Sequence, residues 1–150
     1  VWGNALFHAA TGLCPQMSAA DGSLYAHLSD QVRMIMGLDI PMQTCPAGEA
    51  LVAGHEIRFG NYQIQVIPTP GHTPGGVSFY IPDWQPGPVV LTGDTLFRAS
   101  VGRTDLPGGD SQALLESLHK LLSLPDDVTV YPGHGPATSI GYERLHNPYA

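Results

Sequence analysis

The sequence predicts an α/β fold, and three features of its 150 residues point there. Short β-branched and aromatic runs occupy the middle of the chain. Segments whose apolar residues recur every three or four positions flank them. Glycine (18) and proline (14) are plentiful but aperiodic, standing between these runs as tight connections rather than as a linker. The length suits one domain, and a domain of this size buries about two thirds of the surface its unfolded chain exposes.

Asn4 to Thr11 reads as a short helix, with Asn4 as its N-cap and Gly12 at the left-handed position beyond its end. Gln16 to Ser18 reads as a short strand. Asp21 is the N-cap of a second helix, whose stripe of Leu24, Leu28, Val32, Ile35 and Met36 ends at Gly37. From Gln43 the period changes. Ala50 to Val52, Glu56 to Phe59 and Tyr62 to Ile67 read as strands, the last two joined by a hairpin turn at Gly60-Asn61. Val77 to Ile81 and Val89 to Thr92 are two further strands. Asp110 caps a helix that runs through Leu122, with Leu114, Leu115, Leu118, Leu121 and Leu122 on its apolar face. Val128 to Tyr131 is the last strand, and Thr138 to His146 is a final helix stopped ahead of Pro148.

Charge narrows the partners. A net charge of −7 and a pI near 5.2 argue against nucleic acid and anionic membranes, which require a basic surface, but leave a small anionic substrate open. Cys14 and Cys45 are too far apart for a CxxC motif and too few for a disulfide framework, so both are expected as free thiols in a reducing compartment. No run approaches the roughly 20 apolar residues of a membrane span, and the N-terminus has no signal-peptide pattern. The expectation is a soluble, cytoplasmic protein. Its first residue is Val1 rather than methionine, as in a processed chain or a fragment.

Three strand ends run into sharp loops, each with a metal-competent side chain next to a glycine. These are His72 in Pro70-Gly-His72-Thr-Pro74, Asp94 in Thr92-Gly-Asp94-Thr95, and His134 in Pro132-Gly-His134-Gly-Pro136. Any one of them alone is an ordinary turn residue. Strand ends on one edge of a sheet can converge, imidazole suits zinc or iron, and a carboxylate can bridge two cations. His72, Asp94 and His134 are therefore candidate ligands of a dinuclear centre.

Through Thr69-Pro-Gly-His-Thr-Pro-Gly-Gly76, Leu91-Thr-Gly-Asp-Thr-Leu-Phe97 and Tyr131-Pro-Gly-His-Gly-Pro136, the chain resembles the metallo-β-lactamase-fold hydrolases. Within them it is most similar to short glyoxalase II-like enzymes, on the strength of Gly102-Arg-Thr-Asp-Leu-Pro-Gly-Gly109 and Asn147-Pro-Tyr149. The resemblance implies an αββα sandwich, represented across residues 1–150 by its C-terminal portion. It implies two divalent metal ions, zinc in the first place and otherwise iron or manganese. His72 and His134 would be terminal ligands, one for each ion, and Asp94 the shared, catalytic carboxylate. The implied reaction is hydrolysis of a small thioester or related acyl substrate, glutathione-linked in the glyoxalase branch, by a hydroxide held between the metals. Arg103 would be a substrate-binding residue, the alternative being a structural pair with Asp105 or Asp110.

One departure stands out: the family's HxHxDH motif is absent. In relatives it precedes a segment resembling Val1-Trp-Gly-Asn-Ala, so the chain is expected to start just after it and to lack the N-terminal strands. One histidine per metal plus a shared aspartate falls short of the usual three or four protein ligands, so the chain alone is expected to be inactive. An uncovered sheet edge would favour self-association. Two other readings remain open. One is a persulfide dioxygenase-like enzyme with a single iron, still using His72 and Asp94; the other is a non-catalytic truncated domain. His8, His27, His55, His119 and His146 are expected to be structural or solvent-facing, Phe97 and Tyr131 core, and Arg98 surface, with a place facing the site as its alternative.

Overall fold

The computed structural model describes residues 3–150, so Val1 and Trp2 of the opening segment lie outside the described residues. The chain divides into two compact units, one ending at Leu51 and one running from Val52 to Ala150.

The first unit holds helices α1 (Asn4–Thr11), α2 (Gly22–Ala26) and α3 (Leu28–Met36). Gly12 ends α1 in the left-handed conformation, as expected, but Gly3 occupies the N-cap position and Asn4 is already helical. Gln16 to Ser18 and Ala50 to Val52 are not strands. The carbonyls of Pro15 and Met17 accept from the N–H groups of Gly48 and Leu51, but Pro15 has no N–H to return and no ladder develops. Ser18 instead caps a 3₁₀ turn, Ala19–Asp21, through the Ala20 N–H. The helix expected from Asp21 to Gly37 breaks at His27, whose φ of −113° and ψ of 35° leave the helical region. Its Nδ1 is 2.8 Å from the Ser23 carbonyl. Leu28 and Val32 are buried, but the stripe stops there, and Ile35 and Met36 are exposed. Both cysteines are free thiols.

The second unit contains a six-stranded sheet in the order β1-β2-β3-β4-β7-β8 and a two-stranded hairpin, β5-β6. β1 (Glu56–Phe59) and β2 (Tyr62–Pro68) form the expected hairpin, with Phe59 opposite Tyr62 across Gly60-Asn61. β2 pairs antiparallel with β3 (Val77–Ile81), and β3 with β4 (Val89–Gly93). β4 then pairs in parallel with β7 (Thr129–Pro132), which pairs antiparallel with β8 (Thr138–Ser139). It follows that β2, β4 and β7 point in one direction. Thr138 and Ser139 were expected to be helical; they are extended, and Ser139 caps α5 (Ile140–His146) through the Tyr142 N–H at 3.2 Å. The hairpin of β5 (Leu96–Phe97) and β6 (Ser100–Val101) is too short to show an alternating pattern in the sequence.

Between β4 and β7 lies α4 (Ser111–Leu122), started where expected by Asp110, which accepts from Gln112 N–H at 2.9 Å and Ala113 N–H at 3.0 Å. Its Leu118 and Leu121 pack with Val90 of β4, Val130 of β7, Leu96 and Ile140 in the core. Burial of each such side chain contributes about 1.5–3 kcal/mol. Alternation along a strand sends neighbours to opposite faces. With Val90 and Val130 turned to the helices, Leu91 and Tyr131, opposite each other in the register, face the other way at 42% and 48% exposure. Tyr131 is therefore not a core residue. Among the described residues, no helix is long and apolar enough to cross a membrane.

Candidate metal centre

The shared direction of β2, β4 and β7 brings their C-terminal ends to one end of the sheet, and the loop after each carries His72, Asp94 or His134. Their positions are held by bonds between the loops. Gly133 N–H donates to the Gly93 carbonyl at 2.8 Å. Ser117 of α4 donates to the Pro70 carbonyl at 2.7 Å, anchoring the His72 loop to the helix. Beneath them Thr69, Ser78 and Thr95 form a buried hydroxyl cluster. Thr69 Oγ1 lies 2.9 Å from Ser78 Oγ, and Thr95 Oγ1 donates to the Thr69 carbonyl at 3.4 Å, joining the His72 strand to the Asp94 turn. These hydroxyls flank the motifs in sequence, but nothing in their spacing marks them as buried.

Asp94 turns one oxygen toward each histidine. Oδ2 is 3.6 Å from His72 Nε2 and Oδ1 is 3.8 Å from His134 Nε2. Both separations exceed hydrogen-bond length. They are close to the gap between neighbouring ligands on one ion, since two donors about 2.1 Å from a tetrahedral cation stand about 3.4 Å apart. No group of three or more His, Cys, Asp or Glu side chains among the described residues is placed to hold an ion. The split carboxylate accounts for this: it leaves two donors at each of two positions.

The His72 ring is oriented from behind. Its Nδ1 lies 2.8 Å from the Arg103 carbonyl, which can only accept, so Nδ1 carries the proton and Nε2 presents its lone pair on the Asp94 side. His72 is 24% exposed and His134 is 72% exposed. The His134 ring stacks on Phe97, with centroids 4.4 Å apart. Phe97, expected in the core, is half-buried and forms a wall of the site. Two glycines allow the close approach. A Cβ on Gly133 would overlap Asp94 Oδ1, and one on Gly102 would overlap the Asp94 carbonyl and press on His72 Cβ.

A cavity of about 430 Å³ opens over these groups, lined also by Phe97, Arg98 and Arg103. Arg103 forms a two-bond fork with Asp105, 2.7 Å to each oxygen, so its side chain makes the structural pair that was the alternative for it. That hydrogen bonding holds the Asp105 carboxyl at about 2, well below its ordinary 3.8. Asp110 is occupied as the α4 cap. Arg98, expected at the surface with a place facing the site as the alternative, is exposed and also lines the cavity, its guanidinium 5.1 Å from the centre of the Tyr142 ring. Glu143, unremarkable in the sequence, is fully buried. Its carboxylate accepts from Ala99 N–H, Asn147 Nδ2 and the Thr138 hydroxyl. His8, His27, His55, His119 and His146 are not part of the cavity lining.

Comparison with known proteins identifies the family and the fold. Residues 1–134 match the model of the metallo-β-lactamase superfamily. The chain is 39% identical over 117 residues to the probable metallo-hydrolase YqgX of Bacillus subtilis (strain 168), covering 77% of this chain and 53% of that protein. It is 39% identical over 97 residues to the hydroxyacylglutathione hydrolase GloC of Haemophilus influenzae, covering 64% of this chain and 44% of that one. The crystal structure of TTHA1623 in a di-iron-bound form aligns with a TM-score of 0.87 at 41% identity, covering 100% of this chain and 71% of the other. The chain spans about half the length of these curated relatives. A family match over most of the chain, a shared fold, and three ligand-type side chains gathered at one sheet end together show that this chain belongs to the metallo-β-lactamase superfamily.

Proposed function

We propose that this chain carries part of the metal centre of a hydrolase that acts on a thioester or related acyl substrate in the manner of glyoxalase II. The observation behind the proposal is the division of the Asp94 carboxylate between His72 and His134, at 3.6 and 3.8 Å. His72 with Asp94 would hold one divalent cation and His134 with Asp94 a second. Imidazole and carboxylate donors suit zinc, and also iron or manganese. Cations bound there would lower the pKa of a bound water enough for it to yield a hydroxide nucleophile near neutral pH, and would polarise the scissile carbonyl. The chain's own residues do the positioning. Arg103 holds the His72 tautomer through its carbonyl, Gly102 and Gly133 admit Asp94, and Phe97 covers one face of His134.

Two donors per cation fall short of the three or four that zinc sites use. The remaining ligands would come from residues outside this sequence, and these 150 residues alone would be inactive. The similarity to a hydroxyacylglutathione hydrolase supports a small, glutathione-linked thioester as the substrate class. An excess of acidic over basic residues, 13 to 6, speaks against nucleic acid, and the two free thiols suit the cytoplasm.

The test is elemental analysis for metals, with thioester hydrolysis followed in parallel. It is applied to these 150 residues and to the same chain joined to whatever upstream sequence its reading frame encodes. Two zinc ions and hydrolysis in the longer form, with no hydrolysis in the shorter, is the expected result. One iron with oxygen uptake would replace this reading with the dioxygenase, and no metal in either form would replace it with a non-catalytic domain.

A further inference from the structure

The two histidine rings are held in different ways. A contact of 2.8 Å between Nδ1 and the Arg103 carbonyl fixes the His72 ring. For the His134 ring no hydrogen bond is found among the described residues; Asp94 Oδ1 lies 3.8 Å away and the Phe97 ring covers one face, with the two planes 29° apart. The side chain is also mostly exposed, so neither burial nor a hydrogen bond sets its direction. What sets it is the stack on Phe97, and a stack holds only as well as its two supports. Those supports are separate segments. Phe97 stands in the β5-β6 hairpin, and His134 stands in the loop between β7 and β8.

One buried carboxylate ties both segments. Glu143 Oε2 accepts from Ala99 N–H at 2.9 Å, in the turn just after Phe97, and Oε1 accepts from the Thr138 hydroxyl at 2.6 Å, where the His134 loop ends and β8 begins. The near end of that loop is held separately, by Gly133 N–H on the Gly93 carbonyl. Asn147 Nδ2 donates to Glu143 Oε2 at 2.9 Å and to the carbonyl of Ser100 at 3.1 Å, and Ser100 is the residue opposite Phe97 in the hairpin. Ala99 has a φ of 54°, a conformation that tight hairpin turns usually give to glycine or asparagine. The bond to Glu143 helps to hold alanine there. A fully buried carboxylate is costly unless its oxygens are hydrogen-bonded, and here each oxygen reaches a different one of the two segments.

We propose that Glu143 is a positioning residue for the second ligand position. By joining the Ala99 turn to the Thr138 end of the His134 loop, it sets the Phe97–His134 stack and with it the direction of the His134 ring. Glu143 is not part of the cavity lining and acts only through these neighbours. That His134 is a metal ligand rests on the hydrolase reading; that Glu143 holds its ring does not.

The test is NMR of the histidine ring protons in this chain, metal-free and at one fixed pH. The face of Phe97 shifts the His134 ring protons upfield, and Phe97→Leu gives their position without that ring. Glu143→Ala is expected to lose most of the upfield shift, and Glu143→Gln, which keeps one acceptor oxygen, to lose less. Thr138→Val cuts only the bond to the His134 loop and keeps a β-branched residue in the strand; it is expected to lose part of the shift, and it decides the matter if Glu143→Ala does not fold. Leu121→Val loosens the core while sparing both segments, and is expected to leave His134 where it is in wild type. The His72 ring protons are expected to hold still in every variant. The proposal is overturned if the folded Glu143→Ala or Thr138→Val chain keeps the wild-type His134 shift, if Phe97→Leu does not move it, or if Leu121→Val or the His72 resonances move as far. A failed hydrolase reading appears instead in metal content and turnover, neither of which these spectra measure.

Discussion

His72 Nδ1 meets the backbone carbonyl of Arg103 at 2.8 Å, while the Arg103 side chain turns to Asp105. One residue thus serves the candidate metal centre through its main chain and an ion pair through its side chain, and substitution can separate the two. Arg103→Gln is expected to leave metal affinity unchanged. Asp94→Asn, which removes the carboxylate charge facing both rings, is expected to lower it beyond the roughly 10–100-fold cost of altering an outer-shell partner. Competition with a chromophoric chelator reads both.

Gly133→Ala tests the close approach at the second histidine. The added Cβ overlaps Asp94 Oδ1, so either the carboxylate or the β7 loop must shift. Overpacking of this kind costs about 1–3 kcal/mol. A lower thermal midpoint together with weaker metal binding is expected; an alanine variant that binds metal like wild type would show that Asp94 can move freely.

The Glu143 carboxylate is held by hydrogen-bond donors from Ala99, Thr138 and Asn147. Glu143→Gln replaces one acceptor oxygen with an NH₂ group that faces a donor, and is expected to lower unfolding free energy by about 1–3 kcal/mol. Glu143→Ala, which orphans every donor, is expected to cost more. Urea unfolding measures both.

Asp105 gives a pH signature. Its carboxyl sits at about 2 against an ordinary 3.8, because Arg103 hydrogen-bonds the charged form. A depressed carboxyl contributes stability that is fully present above 3.8 and lost as pH falls through about 2. The pair is exposed to solvent, which keeps that contribution small. The carboxyl resonance of Asp105 is expected to titrate near 2 in wild type and to move up toward 3.8 in Arg103→Gln, a backbone hydrogen bond keeping part of the depression.

Leu91 and Tyr131 sit side by side on the sheet face away from the core. Large apolar side chains exposed next to each other on a sheet face favour association. Sedimentation is expected to show self-association that decreases in Leu91→Thr/Tyr131→Thr; a monodisperse wild-type monomer would count against it.

The parts of the fold that were legible in the sequence are those where local chemistry and tertiary packing agree. Asp110 before a leucine stripe starts α4, and Gly60-Asn61 between two alternating runs closes the β1-β2 hairpin. The misreadings fall where a local signal met a competing one. The apolar stripe of Leu24 to Met36 continues through His27, but the backbone does not. Thr138 and Ser139 extend a helical pattern, yet the unpaired side of β7 recruits them as a strand. At the site, His72, Asp94 and His134 could be picked out because each stands next to a glycine at the end of a run. Phe97 and Glu143 could not, since a two-residue strand pair and a long-range buried carboxylate leave no periodic trace.

The parallel pairing of β4 with β7 also sets the order of events in folding. Asp94 and His134 follow strands that meet only after the intervening segment, α4 included, has folded back across the sheet. Such non-local closure is slow, because chain entropy is lost before any contact compensates for it. A partly folded chain with only its first hairpins formed has Asp94 without His134, and so has no second cation position. Metal capture at that proposed position would therefore be a late event, and its rate would report when the last long-range strand pairing is complete.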